Sequence, residues 1–147
     1  MGPTLYLLYT ADLPLTEGVV KGTFSDDTAA LAVDTCPSKA SAKLQVCLDN
    51  ISNWTRVWRI KTNETKSVHV TFSMRRDTCP QVKLNGIEVP QTCDVKYLGI
   101  HLDRRLTWRK HIFTKRKALG LQSRKIHWLL SGRSQLSLEN KLLLYKC

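Results

Sequence analysis

An α+β fold built from antiparallel strand pairs and helices is predicted for this 147-residue chain on three observations. Short β-branched or alternating segments flank tight-turn sequences at two places, which is typical of β-hairpins. Two longer segments carry apolar residues at helical spacing. The hydrophobic content of 42% over this length suits one modest domain, or a piece of a larger one.

The chain starts with an apolar segment, residues 5–8, and a break at Asp12-Leu13-Pro14 follows it. Since chains usually enter a domain through a polar segment, this start predicts a domain that has been cut on its N-terminal side. The first residues have no basic region and too short an apolar stretch for a signal peptide. No apolar run is long enough for a membrane span, so no membrane partner is expected.

The first strand pair encloses two adjacent carboxylates. Residues 19–24 are β-branched and aromatic and residues 28–33 are small and apolar, which predicts a hairpin with Asp26 and Asp27 at its tip. Neighbouring carboxylates repel each other and lose hydration unless a cation binds them or the turn is solvated. Mg²⁺ takes carboxylate oxygens together with substrate phosphates, so this pair is a candidate metal site. The alternative is structural, because Asp is a common turn residue.

A helix is predicted to start at Cys36-Pro37-Ser38, since proline suits the first helical turn. Its apolar stripe should lie on a sheet and comprises Leu44, Cys47, Leu48, Ile51 and Trp54. Trp54 and Trp58 are expected to pack in the core or fill the junction beyond the helix.

A polar connection, residues 61–66, leads into an alternating segment, residues 68–72. This segment predicts a half-buried strand with His69 on its polar face. Lys66 lies at the start of the strand, where its ammonium group could hold a phosphate.

Two further strand signals follow. Asn85-Gly86 between short alternating segments predicts a hairpin whose turn residues both take positive φ. Residues 95–102 predict another strand, in which Gly99 marks a bulge or the close approach of a ligand backbone.

From Thr107 the pattern becomes helical, with one apolar face and many basic residues on the others. A basic helix without acidic residues is a candidate for binding a phosphate backbone, with membrane-surface binding as the competing interpretation. The periodicity is that of a core-packed helix. A last helix, residues 138–145, is capped by Ser134 or Ser137, and the chain end also looks cut. The predicted nucleic-acid contacts are Arg104, Arg105, Arg109, Lys110, Lys115, Arg116, Lys117, Arg124 and Lys125.

The charge distribution and the cysteine content indicate the class of partner and the cellular compartment. Residues 1–55 hold three basic and six acidic side chains, whereas residues 56–147 hold twenty basic and six acidic. Such segregation favours a polyanionic partner over a merely solvated basic face. The five scattered cysteines form no metal-binding or redox pair and predict free thiols in a reducing, intracellular compartment, with nucleus and cytoplasm both open.

Taken in order, these segments resemble the reverse transcriptase domain of non-LTR retrotransposons, most closely the jockey-like elements of arthropods. Phe24-Ser25-Asp26-Asp27 resembles the family's Phe-Ala-Asp-Asp catalytic hairpin, with serine in place of alanine. Asn63-x-x-Lys66-Ser67 resembles part of the next palm motif. Residues 97–112 resemble the primer-grip strand and the start of the thumb, and residues 2–14 the end of the template-contacting segment.

The resemblance implies the C-terminal part of a polymerase palm over residues 1–106 and the start of a helical thumb over residues 107–147. It implies that Asp26 and Asp27 hold catalytic Mg²⁺ and that Lys66 is a candidate proton donor to the leaving pyrophosphate. The reaction would join deoxynucleoside triphosphates to a DNA primer on an RNA template. The implied primer grip is Tyr97, Leu98, Gly99 and Ile100.

The family's first metal-binding aspartate, on an upstream palm strand, has no counterpart here, and Asp12 lies in the family's ordinary Asp-Leu-Pro position. Because a two-metal site needs carboxylates from both strands, weak Mg²⁺ binding and no activity are expected of the chain alone. One alternative is a catalytically dead remnant that still binds nucleic acid. Another is a degenerate element-derived reading frame with no retained role and uncovered strand edges that aggregate.

Overall fold

The computed structural model describes residues 2–146 and has the predicted α+β composition. Within those residues the helices are α1 (Gly2–Tyr9), α2 (Pro37–Val57), α3 (Arg109–Leu130) and α4 (Leu138–Lys146). The strands are β1 (Val19–Phe24), β2 (Asp27–Ala32), β3 (Lys83–Leu84), β4 (Ile87–Glu88), β5 (Asp94–Tyr97) and β6 (Ile100–Asp103). They form separate two-stranded sheets, β1 with β2, β3 with β4 and β5 with β6.

Packing divides the chain into two compact units, one up to Val95 and one from Lys96 onward. The predicted palm and thumb, divided after residue 106, are functional assignments and remain predictions. The described cysteines Cys36, Cys47, Cys79 and Cys93 are free thiols. The fifth, Cys147, lies outside the described residues.

The start of α2 is fixed where the sequence predicts it. Pro37 occupies the first turn, where its missing N–H costs no hydrogen bond. Asp34 accepts hydrogen bonds from the Cys36 backbone N–H at 3.0 Å and from Lys43 Nζ at 2.8 Å. The Lys43 bond and then the Cys36 bond lower the pKa of Asp34 to about 2, so this carboxylate stays ionised and anchors the helix start.

The first unit is organised around α2, which packs against β1, β2 and β3. Its core is a small cluster of Val82, Leu84 and Val89, against which Leu44 and Leu48 of α2 pack. The prediction that this helix lies on strands is therefore confirmed, although the strands belong to two separate hairpins.

The predicted second hairpin is confirmed. Asn85 and Gly86 have φ of 52° and 80°, as a two-residue turn of this hand requires. Gln45 of α2 holds strand β3 in place, because its Oε1 accepts from the Lys83 backbone N–H at 2.7 Å and its Nε2 donates to the Lys83 carbonyl at 3.0 Å. One side-chain amide thus substitutes for a neighbouring strand on the open edge of β3.

The prediction of a strand over residues 68–72 is wrong in the length of the strand and in which side chains it buries. An isolated parallel bridge between His69 and Gln91 is the ladder contact there. His69 is buried, with 7% of its surface exposed, whereas Val68 and Phe72 are exposed. The His69 backbone is bonded on both sides, from its N–H to Pro90 O and from Thr92 N–H to its carbonyl, each at 2.9 Å. These bonds orient the segment so that the His69 side chain, which the alternating pattern placed on the polar face, lies in the interior.

Trp54 and Trp58 fill the junction at the end of α2 and are not enclosed in the core. The Tyr9 ring meets the Trp58 ring edge-on with centroids 4.8 Å apart, and the Tyr9 hydroxyl donates to the Trp58 carbonyl at 3.0 Å. Trp54 Nε1 donates to Asp12 Oδ1 at 3.2 Å. The aromatic cluster therefore ties the end of α1 and the segment after it to α2.

The single strand predicted over residues 95–102 is a hairpin in the structure. Leu98 and Gly99 have φ of 46° and 80° and form the turn between β5 and β6. Two consecutive residues with positive φ reverse the chain, so Gly99 is a turn residue and not a bulge. A Cβ at Gly99 would meet no atom of residues 2–146 within 4 Å, so packing within the protein does not require this glycine, and the close approach of a ligand backbone stays a prediction.

The second unit also contains α3 and α4. Residue Ser131 ends α3, and Ser137 caps α4 by accepting from the Asn140 N–H at 3.3 Å. No residue of α3 is buried, and Ile112 and Leu119 of its apolar face are exposed. The expectation of a core-packed apolar face is therefore wrong for the described residues.

Candidate functional site

The carboxylate hairpin is regular up to its tip. Strands β1 and β2 pair antiparallel from Val19 opposite Ala32 to Phe24 opposite Asp27. Ser25 and Asp26 form the two-residue turn, and Ser25 has a φ of 52°. The predicted hairpin is thus confirmed, with Asp26 in the turn and Asp27 as the first residue of β2.

Both carboxylates are exposed, as is Phe24 beside them. The desolvation that would make a bare carboxylate pair costly is therefore small, and water can solvate the tip. Solvation of this kind is also what the structural interpretation of an Asp-Asp turn requires. The hairpin geometry places the two groups together at an accessible point but does not by itself demand a cation.

The donor set at this tip is incomplete for a two-metal centre. Among residues 2–146 no group of three or more His, Cys, Asp or Glu side chains is placed to hold a metal ion. Asp26 and Asp27 supply oxygen ligands of the type that Mg²⁺ prefers, but further carboxylates are needed to hold two ions. The described residues therefore do not fit the full metal set that the resemblance implies.

Lys66 lies in a turn over residues 64–66 with its side chain exposed. Its backbone N–H donates to the Asn63 carbonyl at 3.3 Å and to Asn63 Oδ1 at 3.2 Å. In the described part of the chain, no ion pair or hydrogen bond joins Lys66 to Asp26 or Asp27. The structure thus holds the three predicted catalytic residues in one unit without a direct bond between the lysine and the carboxylates.

The turn that carries Lys66 is held by the second hairpin. Asn85 Nδ2 donates to Glu64 Oε1 at 2.6 Å and to Thr62 Oγ1 at 2.8 Å. The Asn85 bond is the main cause that lowers the pKa of Glu64. Asn85 therefore has two functions, as a turn residue and as the anchor of the polar connection.

The predicted primer-grip residues form the β5–β6 turn and its flanks in the second unit. Leu98 and Ile100 are exposed. The chain there presents a tight hairpin turn instead of a continuous strand.

The predicted nucleic-acid contacts all lie in the second unit. Arg104 and Arg105 follow β6, and the other seven lie on α3. The seven side chains on α3 are exposed, and no acidic residue occurs between positions 104 and 125. This face of the second unit is thus an accessible surface rich in cations.

Asp103 positions the start of α3, and the sequence reasoning gave it no role. Its Oδ2 accepts from the Thr107 backbone N–H at 3.1 Å and the Thr107 hydroxyl at 3.0 Å, and its Oδ1 accepts from the Trp108 N–H at 3.1 Å. Partial desolvation raises the pKa of Asp103, but these bonds together hold it below its usual value. These bonds hold Thr107 and Trp108 just before α3, whose N-terminus has no side-chain cap, and no common sequence motif identifies them.

Comparison with known proteins relates the whole chain to retrotransposon polymerases. It is 41% identical over 155 residues to the RNA-directed DNA polymerase from mobile element jockey of Drosophila funebris, covering 100% of this chain. It is 41% identical over 151 residues to the probable RNA-directed DNA polymerase from transposon X-element of Drosophila melanogaster, and 36% identical over 154 residues to the jockey polymerase of that species. Each of these two alignments covers 99% of this chain.

The chain spans 17% of the length of these relatives. It is thus homologous to a segment of retrotransposon reverse transcriptases. No protein-family model matches the chain, and no solved structure matches it. Within residues 2–146 no helix combines the length and apolarity needed to cross a lipid bilayer.

Proposed function

We propose that this chain forms part of the RNA-directed DNA polymerase of a non-LTR retrotransposon. Residues 1–106 would be the C-terminal part of the palm, and residues 107–147 the start of the thumb. The observation that carries the proposal is the carboxylate hairpin, in which Asp26 in the turn and Asp27 at the start of β2 are both exposed, in a chain 41% identical to such a polymerase along its length.

In the assembled polymerase, Asp26 and Asp27 would contribute carboxylate oxygens to the Mg²⁺ centre, which would supply charge stabilisation for nucleotidyl transfer. Lys66 is the candidate proton donor toward the pyrophosphate of the incoming deoxynucleoside triphosphate. Because the described residues do not complete the donor set, the chain alone is expected not to polymerise.

The second unit would bind the RNA template and DNA primer. Its exposed cations can neutralise backbone phosphates, which fixes position without reading sequence. The turn at Leu98 and Gly99 would contact the primer, since an exposed hairpin tip can approach a second backbone closely. These assignments rest on the homology and on the exposed basic surface.

A segment exchange tests the catalytic proposal. This chain replaces the matching segment of the Drosophila funebris jockey polymerase, which is 41% identical to it, and RNA-templated incorporation on a primed poly-A template is measured with Mg²⁺. The exchanged polymerase should incorporate nucleotides, and its Asp26→Asn, Asp27→Asn variant should lose at least about a thousandfold in rate, because transition-state charge loses its metal support.

Glu17→Gln is the matched control, since it removes an exposed carboxylate just before β1. It should leave incorporation unchanged. An active double Asn variant would show that Asp26 and Asp27 are ordinary turn residues. If the exchanged polymerase were inactive while nucleic-acid binding persisted, the catalytic proposal would fail for this chain.

The second candidate function is a catalytically inactive nucleic-acid-binding remnant. It is supported by the exposed basic helix together with the incomplete carboxylate set among residues 2–146. The exchange separates the two candidates, because a remnant would give salt-sensitive binding without incorporation in any context.

A further inference from the structure

An open surface groove with a volume of about 680 Å³, called the cavity below, lies between the end of α3 and the start of α4, within the second unit. Its walls come from the last turn of α3 and from the connecting loop, residues 131–136. None of the predicted catalytic, metal-binding, primer-grip or nucleic-acid-binding residues lines this cavity.

The connecting loop has a defined shape. The Ser131 N–H donates to the His127 carbonyl at 2.8 Å, and the Ser134 N–H donates to the Ser131 carbonyl at 3.0 Å. Lys141 of α4 reaches back and donates from Nζ to the carbonyls of Ser131 and Ser134 at 3.1 and 3.2 Å. These bonds fix the loop to both helices, so the cavity is built into this helix pair.

Trp128 is the dominant side chain in the cavity wall. It is 69% exposed, although an indole carries a large apolar surface that normally seeks burial. Leu129 and Leu136, both half-buried, add apolar surface to the lining. The cavity therefore offers a large, accessible aromatic surface beside aliphatic side chains.

Polar groups complete the lining. Arg133, Gln135 and His127 belong to it and are exposed. Within residues 2–146, Arg133 forms no ion pair. Arg124 and Lys125 lie one helical turn before Trp128, so the basic stretch of α3 runs directly up to the cavity.

An aromatic surface for stacking, an amide for hydrogen bonding and cations for phosphate together match an unpaired nucleotide. We propose that this cavity binds one unpaired base of a single-stranded nucleic acid, stacked on Trp128, with an adjacent phosphate at Arg133. The inference deepens the nucleic-acid part of the proposed function and rests on it. Every base has a π-face, so the cavity is expected to be tolerant of sequence.

The test is fluorescence anisotropy with a labelled oligonucleotide of about ten nucleotides, made as RNA and as DNA of the same sequence. Trp128→Ala should raise the Kd for the single strand about tenfold, whereas Trp128→Phe should stay within about threefold because a stacking ring remains. A duplex should bind both variants as it binds the parent chain, since its bases are not free. If Trp128→Ala loses affinity for RNA and DNA alike, the base is the ligand. If it loses affinity for RNA alone, the site is specific for RNA.

Phe113→Ala is the matched control, because Phe113 is a 67% exposed aromatic residue of the same basic helix outside the cavity. It should bind the single strand like the parent chain. An equal loss in Phe113→Ala, or an unchanged Kd in Trp128→Ala with unaltered helicity by circular dichroism, would overturn this inference alone. Failure of the parent chain to bind any single strand would overturn it together with the nucleic-acid part of the proposed function.

Discussion

His69 is a buried ionisable group whose ring nitrogen Nδ1 has no hydrogen-bond partner among residues 2–146. Burial lowers the pKa of His69 below 6.5 because a charged imidazolium would lose its hydration. The unfolded chain therefore binds a proton more readily than the folded chain does. Stability should be full above the unfolded pKa and should fall as the pH drops below it.

Denaturant unfolding at pH 7.5 and pH 5.5 measures this effect, which is bounded by about 1.4 kcal/mol per pH unit for one proton. We expect the parent chain to be less stable at the lower pH, and His69→Gln to lose most of this difference. His101→Gln, which changes a half-buried histidine of the second unit, should retain it. If the two variants had the same pH dependence, the neutral state of His69 would not be linked to folding.

The residue scale also shows what alternation in a sequence can and cannot reveal. The alternation of Val68, Val70 and Phe72 predicts two faces, but hydrogen bonds from the Pro90 to Thr92 segment decide which face is inside. Asn85-Gly86 was predictable, because only a turn with two positive φ values uses this pair so often. The turn at Leu98-Gly99 was not predicted, because leucine rarely takes positive φ.

At the scale of elements, α2 packs against buried apolar residues in and directly beside the β3–β4 hairpin, with Leu84 in β3 and Val82 and Val89 at its two ends. Leu84 is 6% exposed in this core, and Ile87, its partner across the hairpin, is 56% exposed. Leu84→Ala should lower the free energy of unfolding by about 2–4 kcal/mol through lost burial and a cavity. Ile87→Ala should cost well under half of that.

Urea unfolding followed by tryptophan fluorescence measures both variants, in a chain whose Trp108 and Trp128 are replaced by Phe so that Trp54 and Trp58 at the end of α2 give the signal. A similar small loss in the two variants would mean that the cluster of Val82, Leu84 and Val89 does not hold the first unit together. The lack of any cooperative transition in the parent chain would favour a degenerate reading frame without a retained role.

The helices differ in how well the sequence predicted their surroundings. Proline at position 37 and a stripe including Leu44 and Leu48 defined both the start and the packed face of α2. The apolar spacing of α3 predicted the helix equally well but not its exposure. Periodicity reports that a helix has an apolar face, whereas packing depends on which other element reaches that face.

At the scale of the whole molecule, the net charge is confined to one unit. Residues 1–95 contain ten basic and ten acidic side chains, and residues 96–147 contain thirteen basic and two acidic. The formal net charge of +11 therefore belongs to the second unit alone. Long-range attraction of a polyanion should act there, and the electrically balanced first unit should contribute little to it.

Removing charge from each unit separately tests this division. Lys115, Arg116 and Lys117 are exposed on α3, and their replacement by Gln should weaken single-stranded RNA binding at low salt. The negative slope of log K against log salt concentration should become shallower by about 2. Each phosphate contact on a single strand contributes about 0.7 to the steepness of this slope, and three contacts are lost.

The matched control replaces Lys39, Lys61 and Arg76, three exposed cations of the first unit, by Gln. Both triple variants lower the net charge by the same amount, so a general effect of charge would change both slopes equally. Only a binding surface on the second unit would change the slope for the α3 variant alone. Equal slopes in the two variants would mean that the basic helix is a solvated face and that phosphate contacts are spread over the whole chain.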